Sequence, residues 1–213
     1  IIVGGPGSVH AQEYLEAGGD LVCHGEGEKT IIDIVDYYNG QKDRQQIKGI
    51  SYMDSGTFVK NEPQELIADL DSLPFPKRDK IPMEYYHDYY IFTMKKPYVT
   101  MMASRGCPMN CTYCSSPHFW SKRYRIRSAG NVLKEIDYLK NTFNIKYIAF
   151  LDDIFGLDDA WLEEFCLGLL QRQYDIRWMA ILHPFSLRNS REKMLDLLKK
   201  SGCDTLSFGL QSA

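Results

Sequence analysis

The chain has 213 residues and a formal net charge of −3, with 44% hydrophobic and 25% charged residues. This composition supplies a buried core and is typical of a globular protein with one large domain or two modest ones. The small negative charge gives no reason to expect a nucleic acid partner. No apolar run approaches the roughly 20 residues that span a bilayer, so no membrane span is predicted.

The first part of the chain alternates short strands and helices. Strands are predicted at residues 1–3 and 20–22, and helices at about 11–17 and 29–39. Residues 50–59 have the pattern of a β-hairpin, with Ser and Gly at its turn. This succession predicts an α/β segment.

The regular pattern then breaks over residues 63–97, where five prolines, a charged run and four tyrosines fall close together. Prolines and charges are typical of a linker, and aromatic side chains favour packing on a domain surface. The tyrosines at 85–90 are better explained by packing than by base stacking, because no basic stripe accompanies them.

From residue 98 onward, strands and helices alternate clearly. Strands are predicted at 98–103, 147–151, 176–182 and 205–209. Ser128 and Asp158 are predicted to cap the first two intervening helices, and a third helix covers about 190–200. Such alternation predicts a parallel sheet with right-handed crossovers, and chemistry in such folds gathers at the carboxyl ends of the strands.

A cluster of three cysteines follows the first of these strands. Cys107, Cys111 and Cys114 have the spacing C-x3-C-x2-C. Three thiolates can hold three corners of a cubane 4Fe–4S cluster, which leaves the fourth iron without a protein ligand. An open metal position is a place for chemistry.

Zinc is the alternative metal, because His118 and the three cysteines would complete a tetrahedral Cys3His shell. Zinc modules are usually small and self-contained, whereas this triplet opens a long strand–helix alternation, so the sequence favours iron and sulfur. The scattered Cys23, Cys166 and Cys203 are predicted to be buried thiols.

The triplet resembles the signature of the radical S-adenosylmethionine (SAM) superfamily. The resemblance implies that the open iron chelates the amino and carboxylate groups of SAM, and that electron transfer from the cluster splits SAM to a 5′-deoxyadenosyl radical. It also places Tyr113 near the adenine. Asp152 and Asp153 resemble an Asp-Asp motif near the SAM methionine amine, with turn capping by Asp153 as the alternative.

Three further residues are candidates. Gln211 lies in a segment that resembles the glycine-apolar-Glu-Ser motif of the family, which implies a SAM contact, although glutamine cannot act as a charged acceptor. His183 ends the third strand. It either faces the cavity or is a structural residue whose hydrogen bonds are satisfied within the protein. Arg105 precedes Cys107 and either orients the cysteine loop or has a plain surface role.

The amino-terminal segment resembles the second half of a cobalamin-binding domain fused to a radical SAM barrel. The likeness rests on Gly4 and Gly5 after the first strand, on the Gly-Glu-Gly-Glu run at 25–28 and on Leu-Pro-Phe-Pro at 73–76. It implies that Gly4 and Gly5 approach the cofactor's nucleotide tail, since glycine permits close backbone contact. A plain turn is the alternative. The Asp-x-His-x-x-Gly motif, whose histidine ligates cobalt, does not occur in this sequence.

We therefore expect an α/β chain cut at both ends: the C-terminal part of a Rossmann-like cobalamin-binding domain at 1–62, a linker at 63–97, and the first part of a TIM-like radical SAM barrel at 98–213. The expected cofactors are a 4Fe–4S cluster, SAM and cobalamin. The expected reaction is reductive SAM cleavage that starts methyl transfer or related carbon–carbon or ring chemistry on a small organic or lipid-like substrate.

Two alternatives stay open at this point. In the first alternative, the chain is a radical SAM enzyme whose amino-terminal domain is vestigial and binds no cobalamin. In the second, the whole chain is a zinc-stabilised binding module without catalysis. A flavodoxin or ferredoxin is the expected electron donor. Reduced cysteines and an oxygen-sensitive cluster favour a cytoplasmic location.

Overall fold

A computed structural model of the chain describes residues 1–83, 85, 96–120, 122–184 and 191–209, without the side chains of His118 and Arg191. Gln211 and the tyrosines at 86–90 lie outside the described residues, as does the His118 side chain. No helix within the described part is long and apolar enough to cross a bilayer.

The chain divides into two compact units. The first contains residues 1–68 and 113–121, and the second contains residues 69–112 and 122–213. Each unit has a sheet and a hydrophobic core of its own.

The first unit contains a mixed four-stranded sheet. In chain order its elements are β1 (Ile2–Val3), α1 (Ala11–Glu16), β2 (Leu21–Cys23), α2 (Gly27–Tyr38), β3 (Ile50–Asp54) and β4 (Thr57–Lys60). The strands lie in the order β1-β2-β3-β4, with β1 and β2 parallel and the other pairs antiparallel. The predicted hairpin is confirmed, and its two turn residues, Ser55 and Gly56, both have positive φ, as a tight hairpin turn requires.

Helix α2 is confirmed, but its apolar residues do not all face the core. Ile34 is fully buried, together with Leu21, Ile50 and Tyr52 of the adjoining strands. Ile32 is 62% exposed. The helical spacing of the apolar residues therefore predicted the helix correctly without identifying the face that packs.

The second unit contains a parallel four-stranded sheet with helices in the connections. Its main elements are β5 (Tyr98–Met101), α4 (Ala129–Phe143), β8 (Tyr147–Phe150), α5 (Asp159–Arg172), β9 (Arg177–Ile181), α6 (Arg191–Lys200) and β10 (Cys203–Ser207). The strand order is β10-β9-β8-β5. The predicted strand–helix alternation and parallel sheet are confirmed, with strand ends that shift by one or two residues.

Both predicted helix caps of this unit are formed. The Asn131 amide donates to Ser128 Oγ at 3.1 Å, and the Trp161 amide donates to Asp158 Oδ1 at 3.0 Å. Each cap satisfies one amide that the first turn of a helix leaves without an intrahelical partner. These side chains therefore set where α4 and α5 begin.

Aromatic side chains fill the core between the parallel sheet and its helices. Phe150 of β8 contacts Phe155, Phe165 and Trp178, with ring centroids 4.6 to 5.9 Å apart. All four side chains are fully buried. Because Phe155 lies shortly after β8, this cluster also anchors the loop at the carboxyl end of that strand.

The chain enters the second unit through a proline-rich segment that contacts α4. Arg78 Nη1 pairs with Glu135 Oε1 at 2.6 Å, and Arg78 Nη2 donates to the Thr100 carbonyl at 3.0 Å. The Phe75 ring lies 5.6 Å from the Arg127 guanidinium carbon. Polar and aromatic contacts thus hold this segment against β5 and α4.

Candidate functional site

The three cysteines lie on a loop whose ends are tied together. After β5 the chain forms the short strand β6 (Ser104–Arg105), and after the cysteines it forms the short helix α3 (Ser116–Trp120) and the strand β7 (Arg125–Ile126). The two strands pair antiparallel, with Ser104 opposite Ile126. Residues 106–124, called the cysteine loop below, are therefore an excursion from the carboxyl end of β5 that this two-stranded ribbon closes.

The thiols have the donor chemistry of an iron–sulfur site. Cys107, Cys111 and Cys114 are half-buried, and none is in a disulfide. The Ser116 amide donates to Cys114 Sγ at 3.4 Å, and hydrogen bonds of this kind tune clusters. Gly106 takes a φ of +84°, so the chain turns directly before Cys107.

Within the described residues, no three His, Cys, Asp or Glu side chains gather around one point. The fit to a cluster therefore rests on three soft thiolate ligands from one loop, which suit iron and sulfur.

Asp152 follows β8 and is bound to the start of the cysteine loop. Its carboxylate accepts hydrogen bonds from the Ala103 amide at 3.0 and 3.2 Å, from the Ser104 amide, and from Ser104 Oγ at 2.5 Å. The residue is 1% exposed. The predicted cofactor contact of Asp152 therefore competes with four hydrogen bonds that already occupy its two oxygens.

Burial changes the acid–base properties around this carboxylate. Burial raises the pKa of Asp152 to about 7, although the hydrogen bonds from Ser104 and Ala103 favour the ionised form. Burial also raises the pKa of the neighbouring Tyr124 to about 12, with a further contribution from the charges of Asp152 and Asp158. Tyr124 therefore stays a neutral phenol at physiological pH.

The second aspartate of the pair has the opposite environment, since Asp153 is exposed. His183 follows β9 and is half-buried. Because β5, β8 and β9 are parallel neighbours, β6, Asp153 and His183 all lie at the carboxyl edge of the sheet. Tyr113 of the cysteine loop is 66% exposed, and Gln211 lies outside the described residues.

Arg127 is a site residue that sequence reasoning missed. Its amide donates to the Ala103 carbonyl at 2.8 Å, and Nη1 donates to the Met102 carbonyl at 3.0 Å. Nη1 also pairs with Glu135 Oε2 at 2.6 Å. The sequence did carry a signal for a buried cation, because Glu135 falls between Val132 and Leu139 on the apolar face of α4. A carboxylate in such a position needs a buried partner.

The predicted glycine pair lies at the carboxyl edge of the first sheet. Gly4 and Gly5 follow β1, and His24 follows the parallel strand β2, so both turns meet at this edge. Gly5 has a φ of +81°, which a plain turn also explains. His24 Nε2 lies 2.7 Å from Ser51 Oγ, and burial, assisted by the charge of Lys60, lowers the pKa of this imidazole.

The first glutamate of the 25–28 run has a structural partner. Glu26 is 4% exposed, and its Oε2 accepts a hydrogen bond from the Ile67 amide at 2.6 Å. This hydrogen bond connects Ile67 to the residue directly before α2.

Comparison with known proteins identifies relatives for most of the chain. An uncharacterized methyltransferase of Pyrococcus horikoshii is 35% identical over 91% of this chain and 40% of its own length. The cytidylyl-2-hydroxyethylphosphonate methyltransferase of Streptomyces wedmorensis is 26% identical over 97% of this chain and 44% of its own length. The chain thus spans less than half the length of these relatives.

The fold is shared with a solved enzyme. The cobalamin-dependent SAM radical enzyme OxsB, determined with aqua-cobalamin and SAM bound, superposes with a TM-score of 0.82 at 24% identity, over 100% of this chain and 31% of OxsB.

A cysteine loop at the carboxyl edge of a parallel α/β sheet defines the class of protein. The sequence profile of the radical SAM superfamily matches residues 101–213, more than half of the chain. The chain therefore belongs to the radical SAM superfamily, as its cysteine spacing predicted.

Proposed function

We propose that this chain is the cofactor-binding part of a cobalamin-dependent radical SAM methyltransferase. The observation that carries the proposal is the cysteine loop: three thiols free of disulfides, on a loop that leaves the carboxyl end of β5 and is closed by β6 and β7. Family membership and methyltransferase relatives support it.

Cys107, Cys111 and Cys114 would hold a 4Fe–4S cluster. When bound, such a cluster supplies the electron for reductive cleavage of SAM. The exposed Asp153 would accept hydrogen bonds from the SAM ammonium group at the carboxyl edge of the sheet. Tyr113 would lie beside the adenine, and Gln211 would contact SAM through its side-chain amide.

The amino-terminal part would bind cobalamin at the edge formed by Gly4 and Gly5. In this proposal residues 1–62 belong to a Rossmann-like cobalamin-binding domain, 63–97 are a linker and 98–213 begin a TIM-like barrel. The mixed sheet of the first unit and the fold shared with OxsB support this division.

Methyl transfer to a small organic or lipid-like substrate is the reaction we propose, supported by the named activities of the relatives. The same proposal includes a substrate pocket, a flavodoxin or ferredoxin as electron donor, and a cytoplasmic location.

The test is anaerobic reconstitution of the full-length protein with iron and sulfide. We expect a brown protein that absorbs near roughly 400 nm, as thiolate-ligated clusters do. Cys111→Ala should abolish 5′-deoxyadenosine formation while circular dichroism shows that the protein is still folded. Cys23→Ala is the matched control, because Cys23 is equally half-buried but lies outside the loop.

A single tetrahedral zinc with no iron in the purified protein would refute the proposal in favour of the zinc module. Persistent 5′-deoxyadenosine in the Cys111→Ala variant would also contradict the assignment of the cluster to this loop.

A further inference from the structure

We infer that Asp152 is a positioning residue that fixes the cysteine loop and does not bind SAM, so that the two adjacent aspartates divide their roles. Asp152 holds the protein around the cluster, and of the two aspartates only Asp153 is exposed at the carboxyl edge of the sheet, where the SAM site is proposed. The inference rests on the proposed function, because it concerns the same loop.

The Asp152 carboxylate is engaged by the residues that lead into the cysteine loop. Oδ1 accepts from the Ala103 amide at 3.0 Å, from the Ser104 amide and from Ser104 Oγ at 2.5 Å, while Oδ2 lies 3.2 Å from the Ala103 amide. All of these donors belong to the two residues that lead into the cysteine loop. At 1% exposure the carboxylate has no open surface for an ammonium group.

Backbone hydrogen bonds on either side of Asp152 hold it in place. The residue before it, Leu151, donates its amide to the Met101 carbonyl at 2.9 Å and so extends the pairing of β8 with β5. Three residues later, the Phe155 amide donates to the Ile181 carbonyl at 2.9 Å, and the Phe155 ring is buried in the aromatic core. The carboxylate therefore connects the start of the loop to a strand end that backbone hydrogen bonds and the aromatic core hold in place.

The start of the loop is held from both sides. Asp152 binds the Ala103 amide, while the Arg127 amide binds the Ala103 carbonyl at 2.8 Å. Ser104 then pairs with Ile126 in the two-stranded ribbon. Cys107 follows Ser104 by three residues, so a shift of Ser104 moves the first cluster ligand. Partners that orient metal ligands in this indirect way typically change metal affinity by roughly 10- to 100-fold when they are replaced.

Asparagine is the informative replacement because it keeps the size of aspartate and only one of its two acceptor oxygens. With the amide oxygen at the Oδ1 position, the amide nitrogen takes the place of Oδ2 and faces the Ala103 amide, a donor against a donor. Asp152→Asn should therefore loosen the start of the loop without opening a cavity.

The experiment compares Asp152→Asn with Asp153→Asn in the reconstituted full-length protein. One measurement is the rate at which an iron chelator removes the cluster in oxygen-free buffer, and the other is SAM affinity by calorimetry. We expect Asp152→Asn to lose its cluster roughly tenfold faster than wild type. Asp153→Asn should keep the wild-type rate of cluster loss and bind SAM more weakly.

Wild-type cluster retention in Asp152→Asn would overturn the inference, and so would a loss of SAM affinity in that variant with an unchanged rate of cluster loss. If Asp152→Asn fails to fold, Ser104→Ala serves instead. It removes only the hydroxyl donor and should speed cluster loss severalfold, whereas an unchanged rate would refute the inference. A wild-type protein that takes up no cluster refutes the proposed function itself, so the two failures are distinguishable.

Discussion

Gly202 occupies a backbone position that only glycine suits. It connects α6 to β10 with a φ of +101°, and an added Cβ would lie 2.5 Å from the Ile176 carbonyl oxygen. The neighbouring oxygen is part of the backbone and cannot rotate away. At the residue scale, this close approach sets where β10 joins the sheet.

We expect Gly202→Ala to lower the free energy of unfolding by about 1–3 kcal/mol, because it combines a left-handed backbone with a backbone clash. Urea denaturation measures the change. Gly130→Ala in the first turn of α4 is the control, because a Cβ there meets no atom within 4 Å. Equal stability of the two variants would contradict this interpretation.

At the scale of elements, helix α4 supplies the buried carboxylate that joins β5, β7 and the proline-rich segment. Glu135 binds Arg78 through one oxygen and Arg127 through the other, both at 2.6 Å. The glutamate side chain is 2% exposed, so water cannot replace either arginine. Arg78 also donates to the Thr100 carbonyl, and Arg127 donates to the Met102 carbonyl. The triad of Glu135, Arg78 and Arg127 therefore lies beside the end of β5.

Glu135→Ala should therefore destabilise the protein by about 3–5 kcal/mol, since it leaves two largely buried guanidinium groups without their carboxylate. The midpoint of urea unfolding reports the loss. Glu163→Ala is the matched control on α5: Glu163 pairs with Lys193 at 3.2 Å on the surface, and exposed pairs contribute about 0–1 kcal/mol. Similar losses in both variants would show that burial of the triad has no energetic weight.

At the scale of the whole molecule, two sheets of different construction follow one another along the chain. The first is mixed and has a small core, and the second is parallel with a large aromatic core. In the proposed function each sheet presents the carboxyl edge of its parallel strands to a different cofactor. Parallel strands direct their loops to one edge, which makes that edge the usual place for a site.

The cobalamin part of the proposal is testable in the full-length protein by Gly4→Ala. A Cβ on Gly4 would lie 3.8 Å from the Cys23 side chain, an ordinary contact, so the fold accepts a methyl group that a cofactor packed against this backbone would not. We expect the purified variant to lose most of its cobalamin, measured by absorbance, while its iron content stays at the wild-type level. Cobalamin retained in full would contradict the proposed role of Gly4.

The elements of the second unit were predictable because their signals are local. The capping side chains Ser128 and Asp158 mark helix starts within three residues, and the apolar strands alternate with amphipathic helices. The ribbon of β6 and β7 was missed, since two-residue strands separated by 19 residues carry no periodic pattern. The roles of Cys107, Cys111 and Cys114 remain predictions that the experiments above address.

The sequence alone determined the family, the strand–helix alternation and the loop that carries the cysteines, because each depends on neighbours within a few positions. Only the tertiary structure decided which of two adjacent aspartates is buried, and that Arg127 and Glu135 hold the start of the cysteine loop. Asp152 and Ser104 are 48 residues apart in the chain. The pairing of such distant groups is set by how strands and helices pack, and no local pattern encodes it.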